Sequence, residues 1–263
     1  MLGRKQGGDN DAFCRVWDNV WNYVTRDDVL QWQSVALDEI RGVFSRYAGK
    51  NIAYGWSGGK DSIVLQHLLG HFADLPCVAG TIPVFEWPDY LDWIHDNQPR
   101  RLWTYENRDV TYPFIQANRH LLFPTTGKNG YWWTLQGTRK SQTIFAGRAN
   151  VDLYVWGRRT ADGNFIGGDA AGVLAGKNFD QYNPIRDWPH EMVFAYIQHF
   201  QLALPPIYDK PRMWVTGTGC WAGRRIAKTV RDSFVLTYMV NPGVVKEASR
   251  YFPEAASVLQ EMG

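Results

Sequence analysis

The hydrophobic positions near the start of the chain recur at helical spacing. Over residues 13–48 the apolar side chains fall three or four positions apart, and Asp27 and Asp28 interrupt the pattern. This spacing predicts two amphipathic helices with a break at the two aspartates. We therefore expect an N-terminal helical layer over residues 13–48. The polar, glycine-rich segment before it, residues 1–12, is predicted to be a flexible tail.

After residue 50 the pattern changes to short apolar runs that alternate with helical segments. Strands are predicted at 51–56, 75–81, 101–106 and 151–156, and helices at 61–69, 90–96, 114–122 and 139–146. This alternation is typical of βαβ units and a parallel sheet with helices on both faces. The predicted fold class is α/β, with a Rossmann-like parallel sheet sandwiched by helices over residues 50–225. A mainly helical C-terminal part, residues 226–263, is expected to follow.

Composition fits a globular protein with a sizeable core. Of the 263 residues 45% are hydrophobic and 21% are charged, and the net charge is only +2. The sequence has no apolar run of the roughly 18 residues that a membrane helix needs, so we expect a cytoplasmic protein without a membrane partner. The three cysteines, Cys14, Cys77 and Cys220, form no CxxC or Cys/His cluster. Neither a disulfide framework nor a structural zinc site is predicted.

Tryptophan is unusually abundant, with 13 in the chain. Indole rings pack in cores, anchor interfaces or stack on bases. Trp56 and Trp156 each flank the end of a predicted strand, while Trp132 and Trp133 follow a glycine-rich loop and are candidates for a stacking lid. Nucleic acid is therefore one candidate partner, although the net charge does not favour it.

A polar, glycine-containing segment joins the first predicted strand to the helix after it. Its sequence is Ser57-Gly58-Gly59-Lys60-Asp61-Ser62. Glycines let the backbone approach a ligand closely, and the N–H groups at a helix start bind phosphate oxygens. The serine hydroxyls and the Lys60 ammonium would add donors, and Asp61 can hold Mg²⁺ or cap the helix. The segment predicts a phosphate site, but it matches neither the Walker A loop nor the dinucleotide fingerprint.

This loop resembles the signature of the PP-loop adenine nucleotide alpha hydrolases, which cleave ATP between its α and β phosphates. The resemblance extends along most of residues 50–225 toward the branch that contains phosphoadenosine phosphosulfate (PAPS) reductase and the small subunit of sulfate adenylyltransferase. Three later segments occur in the family's order: Gly157-Arg158-Arg159 after a strand, Pro184-Ile185-Arg186-Asp187-Trp188 at the start of a helix, and the stretch from Leu204 to Asp209. The resemblance implies an adenine nucleotide alpha hydrolase-like fold with ATP as its ligand.

The resemblance and the residue chemistry together give a set of candidate site residues. Lys60, Asp61, Arg158 and Arg159 are the predicted catalytic residues, since two arginines that end a parallel strand would project into the same crevice as the loop. The predicted nucleotide contacts are the loop residues Ser57 to Ser62 together with Trp56 and Arg139. Asp61 is the predicted Mg²⁺ ligand. We expect adenylation of an acceptor, either sulfate or a group on a nucleic acid or small molecule.

The chain also departs from the reductase pattern. PAPS reductases use a cysteine near the C-terminus, whereas the last cysteine here is Cys220, a candidate nucleophile whose pKa Arg224 and Arg225 would lower. Adenylyl transfer is therefore favoured over its two alternatives, thiol-dependent PAPS reduction and a nucleotide-binding accessory of a nucleic-acid modification system. An adenine nucleotide is the expected partner. A homodimer or a larger partner subunit is also possible.

Overall fold

The computed structural model describes Leu2 and residues 9–263 of the chain. Its helices are α1 (Asn10–Asp18), α2 (Arg26–Arg46), α3 (Lys60–Gly70), α4 (Pro88–Asn97), α5 (Tyr112–Ala117), α6 (Gly127–Thr134), α7 (Lys140–Arg148), α8 (His190–His199), α9 (Met213–Thr216), α10 (Val230–Val240), α11 (Pro242–Ala248) and α12 (Pro253–Met262). Its strands are β1 (Ile52–Gly55), β2 (Cys77–Thr81), β3 (Leu102–Glu106), β4 (Leu153–Val155), β5 (Val173–Leu174) and β6 (Asp180–Tyr182). Among the described residues, no helix is both long and apolar enough to cross a bilayer.

The N-terminal helices form, but the break between them is not at the two aspartates. The Thr25 side chain accepts the Asp28 N–H at 3.1 Å, and the Asp28 carboxylate accepts the Thr25 N–H at 2.9 Å. This capping box starts α2, where negative charge also favours the helix dipole. Most of the predicted tail lies outside the described residues, and Asn10 already belongs to α1.

The six strands form one mostly parallel sheet in the order β3-β2-β1-β4-β6-β5. Strand β1 pairs in parallel with β2 and β4, β4 pairs in parallel with β6, and β5 is antiparallel to β6. All four predicted strands are present, which confirms the α/β fold class. Strands β5 and β6 have no counterpart among the predicted strands, because strands of two and three residues carry too few side chains to establish a period-two pattern.

Two compact units make up the chain. The first comprises Met1–Ala79, Gln98–Trp103 and Gln142–Leu204. Within it, α2, α3 and α8 pack against one another. A further cluster of buried side chains lies on the sheet and includes Ala53, Val78, Phe145, Ala146, Val151, Tyr154 and Trp156.

The second unit comprises Gly80–Asn97, Thr104–Ser141 and Pro205–Gly263. In it α10, α11 and α12 pack together, and Phe234 contacts Phe252 between their buried faces. The predicted glycine-rich loop at 127–130 is instead the first turn of α6. Compactness does not show that a segment folds alone, so the predicted division at residues 13–48, 50–225 and 226–263 stays a prediction.

Candidate nucleotide-binding site

The polar loop after β1 is a tight turn that ends in the first residues of α3. Gly58 has φ +60°, a backbone conformation that glycine adopts without strain, and Gly59 is the N-cap residue. The Ser62 hydroxyl donates to the Gly59 carbonyl at 2.9 Å and accepts the Ser57 N–H at 3.1 Å. Because the N-cap is glycine, it has no side chain to cap the first-turn N–H groups of α3. This is the arrangement that an anion site needs.

A second glycine brings the segment after β4 against this turn. A Cβ atom at Gly157 would lie 3.0 Å from the Asp61 carbonyl oxygen, so a larger residue would push the two segments apart. Strands β1 and β4 are parallel neighbours, and their carboxyl ends therefore meet at one edge of the sheet. The close approach places Arg158 and Arg159 beside the first turn of α3.

Lys60 lies in a buried ion pair. Its side chain is 1% exposed, and Nζ donates to the two Asp61 carboxylate oxygens at 2.8 and 2.7 Å. Nζ also lies 3.8 Å from the Asp162 carboxylate. Lys60 is thus at the helix start, as predicted, but its ammonium contacts carboxylates of the protein in this structure.

Arg159 is also buried. The prediction that its side chain projects into a crevice is therefore wrong. Its Nε donates to Asp61 Oδ1 at 2.7 Å and its Nη1 to the Trp188 carbonyl at 2.9 Å. Its Nη2 reaches Asp162 at 3.1 Å and His190 Nδ1 at 3.2 Å. These contacts use four of the five N–H groups of a guanidinium. Arg159 therefore fixes the first turn of α3 to the segment after β4.

His190 completes this network and was missed in the sequence. Since Nδ1 accepts from Arg159, we assign the ring proton to Nε2, which lies 3.1 Å from the Ala161 carbonyl. Burial, together with the nearby Arg159 and Lys60, lowers the pKa of His190 to about 3. The ring is therefore neutral at physiological pH. Two cations then face two carboxylates, Asp61 and Asp162, which balances the buried charge.

Arg158 differs from its neighbour in exposure. It is half-buried, and its guanidinium lies 3.8 Å from the centroid of the Trp156 ring. A cation–π contact of this kind holds the charge near the end of β4 without removing it from solvent. Of the two arginines predicted to be catalytic, Arg158 is therefore the one that a ligand can reach.

The structure gives Trp56 a different role from the predicted nucleotide contact. Its ring is 2% exposed, and Nε1 donates to Gln66 Oε1 at 2.7 Å. The indole thus ties the end of β1 to α3 and presents no face for stacking. Arg139 ends a π-helical segment, Leu135–Arg139, in the second unit, and its contact with a nucleotide stays a prediction.

Cys220 is not an activated thiol. Its Sγ donates to Glu86 Oε1 at 3.0 Å. Burial and the Glu86 carboxylate raise the pKa of Cys220 well above its usual value, and they outweigh the opposite effect of Arg224. The prediction that Arg224 and Arg225 activate this thiol is therefore wrong. The thiol is protonated at neutral pH.

The residues fit a Mg²⁺ ion that arrives with a nucleotide. The Asp61 side chain is 21% exposed, so part of its carboxylate reaches solvent. Among the described residues no group of three or more His, Cys, Asp or Glu side chains is placed to hold a metal by itself. Mg²⁺ commonly uses one or two carboxylates together with substrate phosphates. Such a donor set matches Asp61 beside the Gly58–Gly59 turn.

Comparison with known proteins gives the fold. No protein-family model matches the chain, and no curated protein matches it. A crystal structure of PAPS reductase from Candida auris, in a phosphate complex, is similar with a TM-score of 0.53 and 12% identity, covering 75% of this chain and 96% of that one.

Two further structures are more distant. FMN adenylyltransferase from Candida glabrata, bound to FMN and an ATP analogue, has a TM-score of 0.44 and 15% identity, covering 76% of this chain and 70% of that one. The U34-tRNA thiolase NcsA from Methanococcus maripaludis, with its [4Fe-4S] cluster, has a TM-score of 0.43 and 14% identity, covering 99% of this chain and 82% of that one. The likeness to the PAPS reductase structure shows that the chain shares its α/β fold, as the resemblance of the loop from Ser57 to Ser62 predicts.

Proposed function

We propose that the protein binds ATP at the loop from Ser57 to Ser62, cleaves it between the α and β phosphates and transfers the adenylyl group to an acceptor. The observation that carries this proposal is the Gly58–Gly59 turn at the start of α3. It lies at the carboxyl edge of a mostly parallel sheet, where ligands bind in α/β folds. Backbone N–H groups and the helix dipole favour phosphate there.

Lys60 has to change partners for this reaction. Its Nζ is bound to Asp61, and the side chain is 1% exposed. A triphosphate carries several negative charges and competes with the single Asp61 carboxylate for the ammonium. Lys60 then contacts the β and γ phosphates, which leave as pyrophosphate. Asp61 keeps its contact with Arg159 during this exchange, so the carboxylate is not left without a cation.

Arg158 supplies the charge at the reacting phosphorus. An acceptor oxygen attacks the α phosphorus, the bond from that phosphorus to the bridging oxygen breaks, and pyrophosphate leaves with its electron pair. The acceptor proton passes to solvent. The Arg158 guanidinium, reachable from solvent, stabilises negative charge on the α-phosphoryl oxygens in the transition state. Bound Mg²⁺, held by Asp61 and the phosphates, would neutralise charge on the leaving group.

The alternative of thiol-dependent PAPS reduction finds less support. That chemistry needs a thiolate, and the pKa of Cys220 is raised by burial and by Glu86. Sulfate and a group on a nucleic acid or a small molecule are all chemically suitable acceptors for adenylation. In each case the products include pyrophosphate and an adenylated acceptor, which water converts to AMP.

The test is to incubate the protein with ATP, Mg²⁺ and candidate acceptors and to measure pyrophosphate and AMP. We expect Lys60→Ala and Arg158→Ala each to lower the rate by about 100-fold or more, as for other lost transition-state charges. Lys50→Ala, which removes an exposed lysine just before β1, is the matched control and should not change the rate. Failure to form either product, or an unchanged rate in Lys60→Ala, would contradict the proposal.

A further inference from the structure

The small net charge hides an uneven distribution of charge along the chain. Residues 110–151 contain five of the 28 Lys and Arg residues and none of the 26 Asp and Glu residues. The remainder of the chain therefore carries 23 basic against 26 acidic side chains. The stretch thus has five basic side chains and no acidic one, whereas the remainder has three more acidic than basic side chains, an imbalance that favours the approach of a polyanion to this segment.

Stacked and exposed aromatic rings lie on the same stretch, within the second unit. Phe114 on α5 and Trp132 on α6 are parallel, with centroids 5.8 Å apart and planes at 10°. Phe114 is 38% exposed, and Tyr131 next to Trp132 is 55% exposed. Trp132 packs edge-on against the buried Trp133, whose Nε1 donates to the Leu121 carbonyl at 2.7 Å. The ring pair thus rests on the buried Trp133, and both Phe114 and Trp132 keep part of their surface exposed.

Two cations border these rings. Lys128 is exposed and lies three and four positions before Tyr131 and Trp132 on α6, so it shares their side of the helix. Arg119 lies in the 3-10 turn Arg119–Leu121, which packs against both α5 and α6. Its guanidinium also pairs with Glu254, and its side chain is 41% exposed.

We propose that this aromatic–basic surface, formed by Phe114, Arg119, Lys128, Tyr131 and Trp132, binds single-stranded nucleic acid. Every base has a flat face that can extend the Phe114–Trp132 stack, and the phosphates between bases can pair with Lys128 and Arg119. A duplex offers the same phosphates but keeps its bases stacked inside. The rings therefore select the single strand. This inference does not depend on ATP cleavage by the loop after β1.

The test measures binding of fluorescently labelled oligonucleotides by anisotropy at several salt concentrations. The probes are a 20-residue oligo-dT, a 20-residue oligo-rU and a duplex of equal length. We expect both single strands to bind more tightly than the duplex, with affinity that falls as salt rises. Phe114→Ala should weaken single-strand binding about tenfold through the lost stack, and Lys128→Glu should reduce the salt slope by about one or more.

Matched variants separate this surface from general effects. Phe165→Ala removes an aromatic ring that is 96% exposed in the first unit, and Lys246→Glu reverses an exposed lysine on α11. Both should bind like the wild type. Photochemical cross-linking to oligo-dT, read by mass spectrometry, should label the peptide with Tyr131 and Trp132 in the unaltered protein, so this readout does not depend on the folding of any variant.

Three outcomes would overturn the proposal: no binding of either single strand at low salt, duplex binding that equals single-strand binding, or cross-links confined to other peptides. Equal losses in Phe114→Ala and Phe165→Ala would also overturn it. A surface that instead binds a protein should show no salt-dependent affinity for either oligonucleotide. Pyrophosphate release is assayed separately, so failure of this inference is distinguishable from failure of the proposed ATP chemistry.

Discussion

Two clusters of buried ionisable side chains differ in how their charge is compensated. In the first unit Lys60 and Arg159 face Asp61 and Asp162 at distances between 2.7 and 3.8 Å. In the second unit Glu86 is 6% exposed, and its Oε1 accepts from the Cys220 thiol and from the Ile82 N–H. Its Oε2 has no hydrogen-bond partner among the residues that the structure describes.

The difference shows that burial alone does not decide the ionisation of a group. The first cluster pairs two cations with two carboxylates, and burial keeps His190 uncharged beside them. At Glu86, burial raises the pKa to about 7, because the hydrogen bonds and the more distant Arg224 compensate only part of the desolvation. The first cluster is therefore suited to hold geometry, whereas the second responds to pH.

The largest expected effect comes from a substitution that breaks the balanced cluster of the first unit. Arg159→Met removes a cation that four acceptors share, so the Asp61 and Asp162 carboxylates face one cation fewer. Loss of one partner from a buried ion pair typically lowers the free energy of unfolding by about 3–5 kcal/mol. Arg158→Met, next to it in the chain, removes a half-buried cation and should cost about 1 kcal/mol or less. Urea denaturation of both variants measures the contrast, and equal losses would contradict it.

The second effect is a pH dependence that originates at Glu86. Its pKa is about 7 when folded, against about 4.3 in an unfolded chain, so the folded state binds the extra proton between these values. The stabilising effect of protonation is complete below about pH 4 and is lost as pH rises to about 7, amounting to about 4 kcal/mol at most. Glu86→Gln should remove this component. Unfolding free energies of both proteins between pH 4 and 8 test it, and parallel curves would refute it.

A smaller effect on stability tests whether His190 serves as a hydrogen-bond acceptor for Arg159. Asparagine can place an acceptor where Nδ1 lies, whereas glutamine reaches the Nε2 position and leucine supplies neither. His190→Asn should therefore keep the contact with Arg159, while His190→Leu leaves a buried N–H unpaired and costs about 1–3 kcal/mol. Thermal unfolding of the wild type, His190→Asn and His190→Leu gives the ranking. If asparagine is no better than leucine, the acceptor role is wrong.

The smallest effect concerns thiol reactivity. Because Glu86 raises the pKa of Cys220, Glu86→Gln should increase the thiolate fraction and speed alkylation of Cys220 by iodoacetamide at pH 8. Cys14, on α1, serves as the internal control, and its rate should not change. Mass spectrometry of the labelled peptides measures both rates in one sample. A rate for Cys220 that is unchanged would indicate that burial alone controls the thiol.

The sequence predicts the parts of the fold that depend on local pattern. Strands β1 to β4 and the turn before α3 follow from apolar runs and from glycines next to a helix start. Thr25 and Asp28 also form a local signal, a capping box, although two adjacent aspartates are equally typical of a break between helices. The charge network depends on residues far apart in the chain. Asp61 meets Arg159 across 98 positions and Glu86 meets Cys220 across 134, and no local pattern encodes such pairs.

The lack of a local pattern for long-range contacts also explains which site predictions the structure corrects. Lys60, Arg159 and Cys220 were each judged by residue type and neighbours in sequence, and burial altered what each can do. Trp56 was assigned to the nucleotide because it precedes the loop, whereas its indole binds Gln66 on α3. The sequence determines that a residue lies beside a motif. The contacts of its side chain are determined by the packing of the whole unit.

The most direct test of the account is equilibrium binding of ATP and of pyrophosphate at the loop from Ser57 to Ser62. The wild type should bind both ligands. Lys60→Met should weaken both by about tenfold or more through loss of a charge-assisted contact, and Lys50→Met should weaken neither. A melting temperature measured in the same samples checks that each variant is folded. Absence of binding by the wild type, or unchanged affinity in folded Lys60→Met, would contradict the assignment of this loop as the phosphate site.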